Sequence, residues 1–108
     1  MSEPRITHAA MKVLGLFMKA PRRELSGADI INQTKVFSGT LYPMLARLEE
    51  AGWLSSAWEE VDPHEVGRPR RRLYRITALG QNATNKAFSE LGIAASARPA
   101  TGRSGAWN

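Results

Sequence analysis

The sequence predicts a mainly α-helical fold carrying one β-hairpin, an α+β class. Three observations predict it. Apolar residues recur at helical spacing in four separate stretches. Two short stretches after Gly52 alternate with a period of two, as strands do. Between those two lies a loop broken by Pro63, Gly67 and Pro69, so they pair as a hairpin with a long tip.

The elements follow in order. Residues 1–6 are expected to be loose. A first helix over 7–19 starts at the cap Thr7 and stops before Pro21. Its apolar positions are Met11, Leu14 and Met18, flanked by Ala10, Val13 and Phe17. In "ELSGADIINQTK", Ser26 followed three residues later by Asp29 has the form of a capping box. It opens a short second helix over 27–34, which buries Ala28 and Ile31 with Leu25 beside it. A turn at Lys35 to Phe37 leads to a third helix, with Ser38 as its cap. Leu41, Met44, Leu45, Leu48 and Ala51 form its apolar face, and Gly52 ends it. Pro43 sits too deep for the first turn, removes one backbone bond near Gly39 and loosens that turn.

In the hairpin, Leu54, Ser56 and Trp58 share one side of the first strand, and Tyr74 and Ile76 face inward from the second. Thr77 caps a fourth helix over 78–91, with Leu79, Ala83, Ala87, Phe88 and Leu91 as its narrow stripe. The remainder is rich in Ala, Ser, Gly, Pro and Arg and reads as a flexible tail. The chain thus divides into a unit over 1–77, a last helix over 78–92 and a tail over 93–108.

Helices two and three with a tight join make a helix-turn-helix, and a hairpin directly after them makes it winged. In such folds the third helix enters the major groove and its N-terminal residues reach base edges. The outward residues Gly39, Thr40, Pro43 and Ala46 are small enough to let the backbone approach DNA closely. Ser38 and Thr40 can bond phosphates or bases, and Arg47, further along, can reach a phosphate or a guanine edge. Lys35, in the turn, joins this set.

The wing carries Arg68, Arg70, Arg71, Arg72 and Arg75 within a few residues. Arginine suits bidentate phosphate contact. Glu59, Glu60, Asp62 and Glu65 lie across the same loop, and opposite charges across strands pair. Some arginines are therefore expected to pair inside the hairpin, leaving two or three for DNA, with Arg68, Arg70, Arg71 and Arg72 as the DNA-binding candidates.

The charge points the same way. Fifteen Lys and Arg against ten Asp and Glu leave a net charge of +5 in 108 residues, a balance common in chains that meet nucleic acid or anionic surfaces. The absence of cysteine excludes a disulfide framework, a thiolate zinc site and a cysteine nucleophile. His8 and His64 are isolated, and no glycine loop cradles a phosphate. Neither an enzyme nor a bound cofactor is expected. No apolar run approaches the roughly 18 residues that span a bilayer. Trp53 and Trp58 read as packing residues rather than as a stacking surface for RNA. A winged-helix adaptor that binds protein remains the alternative.

"SGTLYPMLARLEEAGWL" followed by "GRPRRRLYRITALG" resembles the PadR family of transcriptional regulators. Ser38, Gly39, Thr40, Leu41, Tyr42, Pro43, Leu45, Leu48, Glu49 and Gly52 carry the first part of the resemblance. Gly67, Arg68, Arg70, Tyr74, Ile76, Thr77 and Gly80 carry the second. It implies a cytoplasmic, prokaryotic winged helix-turn-helix repressor that binds a palindromic double-stranded operator as a homodimer. It places Tyr42 on or beside the DNA-facing side of helix three, or in packing that holds the wing. With one short last helix, the chain resembles the small subclass of that family. In that subclass the first and last helices form the dimer, which implies Met11, Phe17, Leu79, Ala83, Phe88 and Leu91 at the interface. Some small members bind planar drugs against a tryptophan of the last helix. None stands near Phe88 to Leu91 here, and Trp107 lies in the tail, so any effector is left unnamed.

Overall fold

The computed structural model describes residues 4–92. The flexible tail expected over 93–108, Trp107 included, lies outside the described residues. Within them the order is α1 (His8–Lys19), β1 (Leu25–Ser26), α2 (Gly27–Thr34), α3 (Ser38–Glu50), β2 (Leu54–Trp58), α4 (Pro63–Val66), β3 (Arg72–Ile76) and α5 (Ala78–Glu90).

Local chemistry sets the helix starts. Thr7 Oγ1 accepts the Ala10 N–H at 3.1 Å and opens α1. Ser26 and Asp29 exchange bonds at 3.0 and 3.1 Å, a complete capping box for α2. At the other end of α3, Gly52 takes a left-handed φ of 84°. There its N–H reaches Glu49 O and the Trp53 N–H reaches Leu48 O, both at 2.9 Å, which closes a Schellman motif.

The sheet is antiparallel with β3 central, in the order β1-β3-β2. β2 runs from Leu54 opposite Ile76 to Trp58 opposite Arg72. On the far edge, Leu25 faces Tyr74 and Ser26 faces Leu73. This edge strand is an addition to the expected hairpin. The expected loop at the hairpin tip likewise contains a helical turn, α4, capped by Asp62 with Pro63 first inside it.

The core is continuous. Ala10, Val13, Leu14 and Phe17 of α1 meet Ile30 of α2 and Leu41, Met44, Leu45 and Leu48 of α3. Leu54 and Ile76 close it from the sheet. Two expectations need correcting in α2. Ile30 is fully buried, Ile31 only partly, and Ala28 is exposed. An eight-residue helix has too few apolar positions to fix its phase by spacing alone. Phe17, expected at a subunit interface, is fully buried within the chain and offers no surface to a second copy.

Trp53 carries α5. Thr77 Oγ1 accepts the Gly80 N–H at 2.9 Å, while its proton has Gly52 O at 2.6 Å and Trp53 O at 3.1 Å. The Thr77 N–H also reaches Trp53 O at 3.0 Å. One threonine thus joins the end of α3, the start of β2 and the start of α5. Among the described residues no helix is long and apolar enough to cross a membrane.

Candidate nucleic-acid interface

α3 turns its buried face to the core and leaves Ser38, Gly39, Thr40, Tyr42, Pro43, Ala46 and Arg47 exposed. The expected small-residue face is therefore on the surface. Its start differs from the expectation. Phe37, not Ser38, is the N-cap, and no side chain caps the helix. Ser38 has already entered the helical conformation, so its hydroxyl is not in the capping position. Phe37 O accepts the N–H groups of Thr40 and Leu41, each at 2.9 Å. The first N–H groups of α3 have no intrahelical acceptor and are open to one from outside.

Lys35 precedes this end. It closes α2 in the left-handed region, at φ 63°, with its N–H on Ile31 O at 2.7 Å. A lysine there is uncommon, since the left-handed region favours glycine or asparagine. Thr34 Oγ1 accepts the Val36 N–H at 3.2 Å, which tightens the turn.

Tyr42 is 48% exposed. Its ring fills the space that a β-carbon at Gly27 would need, with ring carbons 2.7 Å from that position. The ring thus packs on the start of α2.

The wing arginines divide. Arg68 donates to both carboxylate oxygens of Glu59, at 2.7 and 3.0 Å. That bond, reinforced by the Arg71 N–H and opposed by burial, holds the Glu59 carboxyl from its ordinary 4.5 down to about 2. Arg72 Nε donates to Ser56 Oγ at 3.0 Å, and its Nη2 lies 3.8 Å from Glu49. Its guanidinium also stands 5.1 Å from the centre of the Trp58 ring, within cation–π range. Ser56 Oγ in turn donates to Glu49 at 2.6 Å. Arg75 pairs with Glu24 at 3.0 Å. Pairing therefore goes to Glu59, Glu49 and Glu24, while Glu60, Asp62 and Glu65 hold no arginine among the described residues.

Two of the five wing arginines make no ion pair among the described residues: Arg70 and Arg71. Arg70 Nε donates to Val61 O at 3.0 Å, which fixes its stem and leaves the charge outside. Lys35 and Arg47 are likewise unpaired and exposed.

Trp58 is 59% exposed, against the expectation of a packed ring. Phe37, at 76%, is an exposed aromatic that periodicity could not single out. On α5 and α1, Leu79 and Leu91 are each 56% exposed, Met11 and Ala83 are partly buried, and Phe88 is in the core. Two open depressions, of about 720 and 760 Å³, lie at the wing and beside Pro21 to Arg23; Phe88 lines neither.

The profile of the Transcriptional regulator PadR-like family matches residues 20–86. Among solved structures, a protein of Streptococcus mutans UA159 superposes with a TM-score of 0.62 at 28% identity, over 86% of this chain and 85% of that one. A PadR-like transcription factor from Bacteroides fragilis gives a TM-score of 0.60 at 26% identity, over 82% and 89%. A mutant MarR from Escherichia coli gives 0.65 at 22% identity, over 85% and 63%, a likeness of fold. No curated protein matches the chain in sequence.

Proposed function

The chain belongs to the PadR-like family of transcriptional regulators, and from that premise we propose that it regulates transcription by binding a double-stranded DNA operator through α3 and the wing. It does so as a homodimer on a palindromic site, and it represses. The observation that carries the reading is the exposed small-residue face of α3 together with four exposed cations that make no ion pair among the described residues: Lys35 before the helix, Arg47 on it, and Arg70 and Arg71 in the wing. Small residues let the helix sit deep in a major groove, and the cations meet the phosphates on either side.

In this reading Arg68 and Arg72 act from behind. They hold the wing to Glu59 and to the C-terminal half of α3, and so fix where Arg70 and Arg71 stand. The exposed Leu79 and Leu91, with Met11 and Ala83 beside them, supply the apolar surface for the second copy. Two copies of α3 then enter successive grooves about 34 Å apart. Occupancy of a promoter blocks polymerase, and an effector releases it by altering the distance between the two helices. The site of action is the prokaryotic cytoplasm.

The test is fluorescence anisotropy with labelled DNA from the region upstream of this protein's own gene, at two salt concentrations, beside a scrambled duplex. Preference for the native duplex, weakening steeply with salt, supports the reading. Absence of binding to either duplex at low salt favours a protein-binding adaptor, whose apolar contacts would be insensitive to salt.

A further inference from the structure

Phe37 has no structural role that accounts for it. It is more exposed than any other large apolar residue among those described, at 76%. It occupies an N-cap, where a short hydrogen-bonding side chain is usual, and makes no capping bond. Its ring lies against Gly39, 3.1 to 3.3 Å from where a β-carbon would stand there, so the first turn of α3 supports it from beneath. A supported ring loses little freedom when it meets a partner.

The surroundings select the partner. The ring stands at the leading end of the exposed face of α3, two residues after Lys35, whose charge is unpaired. A protein partner for an apolar anchor would be expected to extend the apolar patch. Here the exposed residues that flank it in the chain are Lys35, Ser38, Gly39 and Thr40, one charged and three small or hydroxylic. A polyanion with an apolar group set in its groove matches both features. In duplex DNA that group is the 5-methyl of thymine, the apolar group that base pairs present in the major groove.

We propose that Phe37 is a specificity determinant that reads thymine through its 5-methyl group at the outer edge of the base sequence contacted by α3. The proposal rests on the DNA-binding reading and deepens it. The contact removes about one methyl group from water, which corresponds to roughly fourfold in affinity.

The experiment selects duplexes from a random library with the wild-type protein. The selected duplex is then titrated with each thymine in turn replaced by deoxyuridine, which deletes only the methyl group. At one or two positions deoxyuridine should weaken the wild type roughly fourfold. Phe37→Ala should bind the thymine duplex weakly and be indifferent to the replacement at those positions. Phe37→Leu, which keeps an apolar tip, should retain part of the methyl dependence. Equal sensitivity of wild type and Phe37→Ala at every thymine would overturn the proposal while leaving sequence-specific binding intact. So would a fall in sedimentation mass for Phe37→Ala with unchanged sequence choice, which would make Phe37 a subunit contact. If the wild type selects no sequence, the DNA-binding reading fails and Phe37's role falls with it.

Discussion

Arg68 embraces Glu59 with both ends of its guanidinium, at 2.7 and 3.0 Å, and the same carboxylate accepts the Arg71 N–H at 3.2 Å. The Glu59 carboxyl is held at about 2, below its ordinary 4.5. A depressed value in the folded state means that the contribution is complete above the ordinary value and disappears as pH falls. The wing tip should therefore hold its form at pH 5 and loosen between about 4.5 and 2. The Arg71 amide resonance, followed by NMR through that range, reports it. In Arg68→Ala the Glu59 titration should move back up toward 4.5. An unchanged titration would deny the pair its role.

Gly80 passes so near the Trp53 carbonyl that a β-carbon would collide with it and stand 2.8 Å from its carbon atom. Backbone cannot yield as a side-chain tip can. Gly80→Ala should push α5 away from the sheet and cost about 1–3 kcal/mol or more in urea unfolding. A neutral result would show that α5 already moves freely against Trp53.

Gly27→Ala meets the ring of Tyr42, a side chain that can swing away. The single change should destabilise by about 1–3 kcal/mol. Adding Tyr42→Ala should recover part of that loss, giving a coupling of at least about 0.5 kcal/mol in a double-mutant cycle. Strict additivity would separate the two residues.

Thr84 is fully buried in α5, and its hydroxyl has no partner among the described residues. Thr84→Val keeps the shape and removes the unmet bond. It should stabilise by about 1 kcal/mol, read as a higher urea midpoint. A loss of stability would mean the hydroxyl is bonded in solution.

Arg47→Ala and Arg71→Ala should leave unfolding unchanged, since both side chains are exposed and unpaired. If each meets a phosphate, each should lower the salt slope of DNA binding by about one. If neither alters affinity or slope, DNA lies on another face.

What was legible in the sequence was local. Thr7, the Ser26–Asp29 box and Gly52 act within four residues of themselves, as does the cap that Thr77 gives the Gly80 N–H, and each stands where its residue type and spacing put it; the bonds from Thr77 back to Gly52 and Trp53 were not legible in this way. The apolar phase of α3 was legible because thirteen residues allow several turns to agree. β1 was not, because two residues have no period and pair only with a strand far along the chain. Ser38 resembled a cap by type, yet the helix begins at Ser38 itself, after Phe37. Asp62-Pro63 carried a helix-start signal that the breakers around it obscured. The choice of partner for Arg68, Arg72 and Arg75 is tertiary, since two of the three carboxylates lie outside the hairpin. Residue type could say that arginines would pair, but not which would remain free.

The strand order has a bearing on how the chain is made. Leu25 and Ser26 pair only with Tyr74 and Leu73. A nascent chain emerging N-terminus first can assemble α1, α2 and α3 while its first strand waits, edge unmatched, until residue 74 has cleared the ribosome. β3 then completes two ladders at once, to β1 and to β2. Closing so distant a contact is slow compared with winding helices. Maturation of the wing is thus the late event of biosynthesis, and a chain cut short before Ile76 has helix three but no sheet to hold its wing.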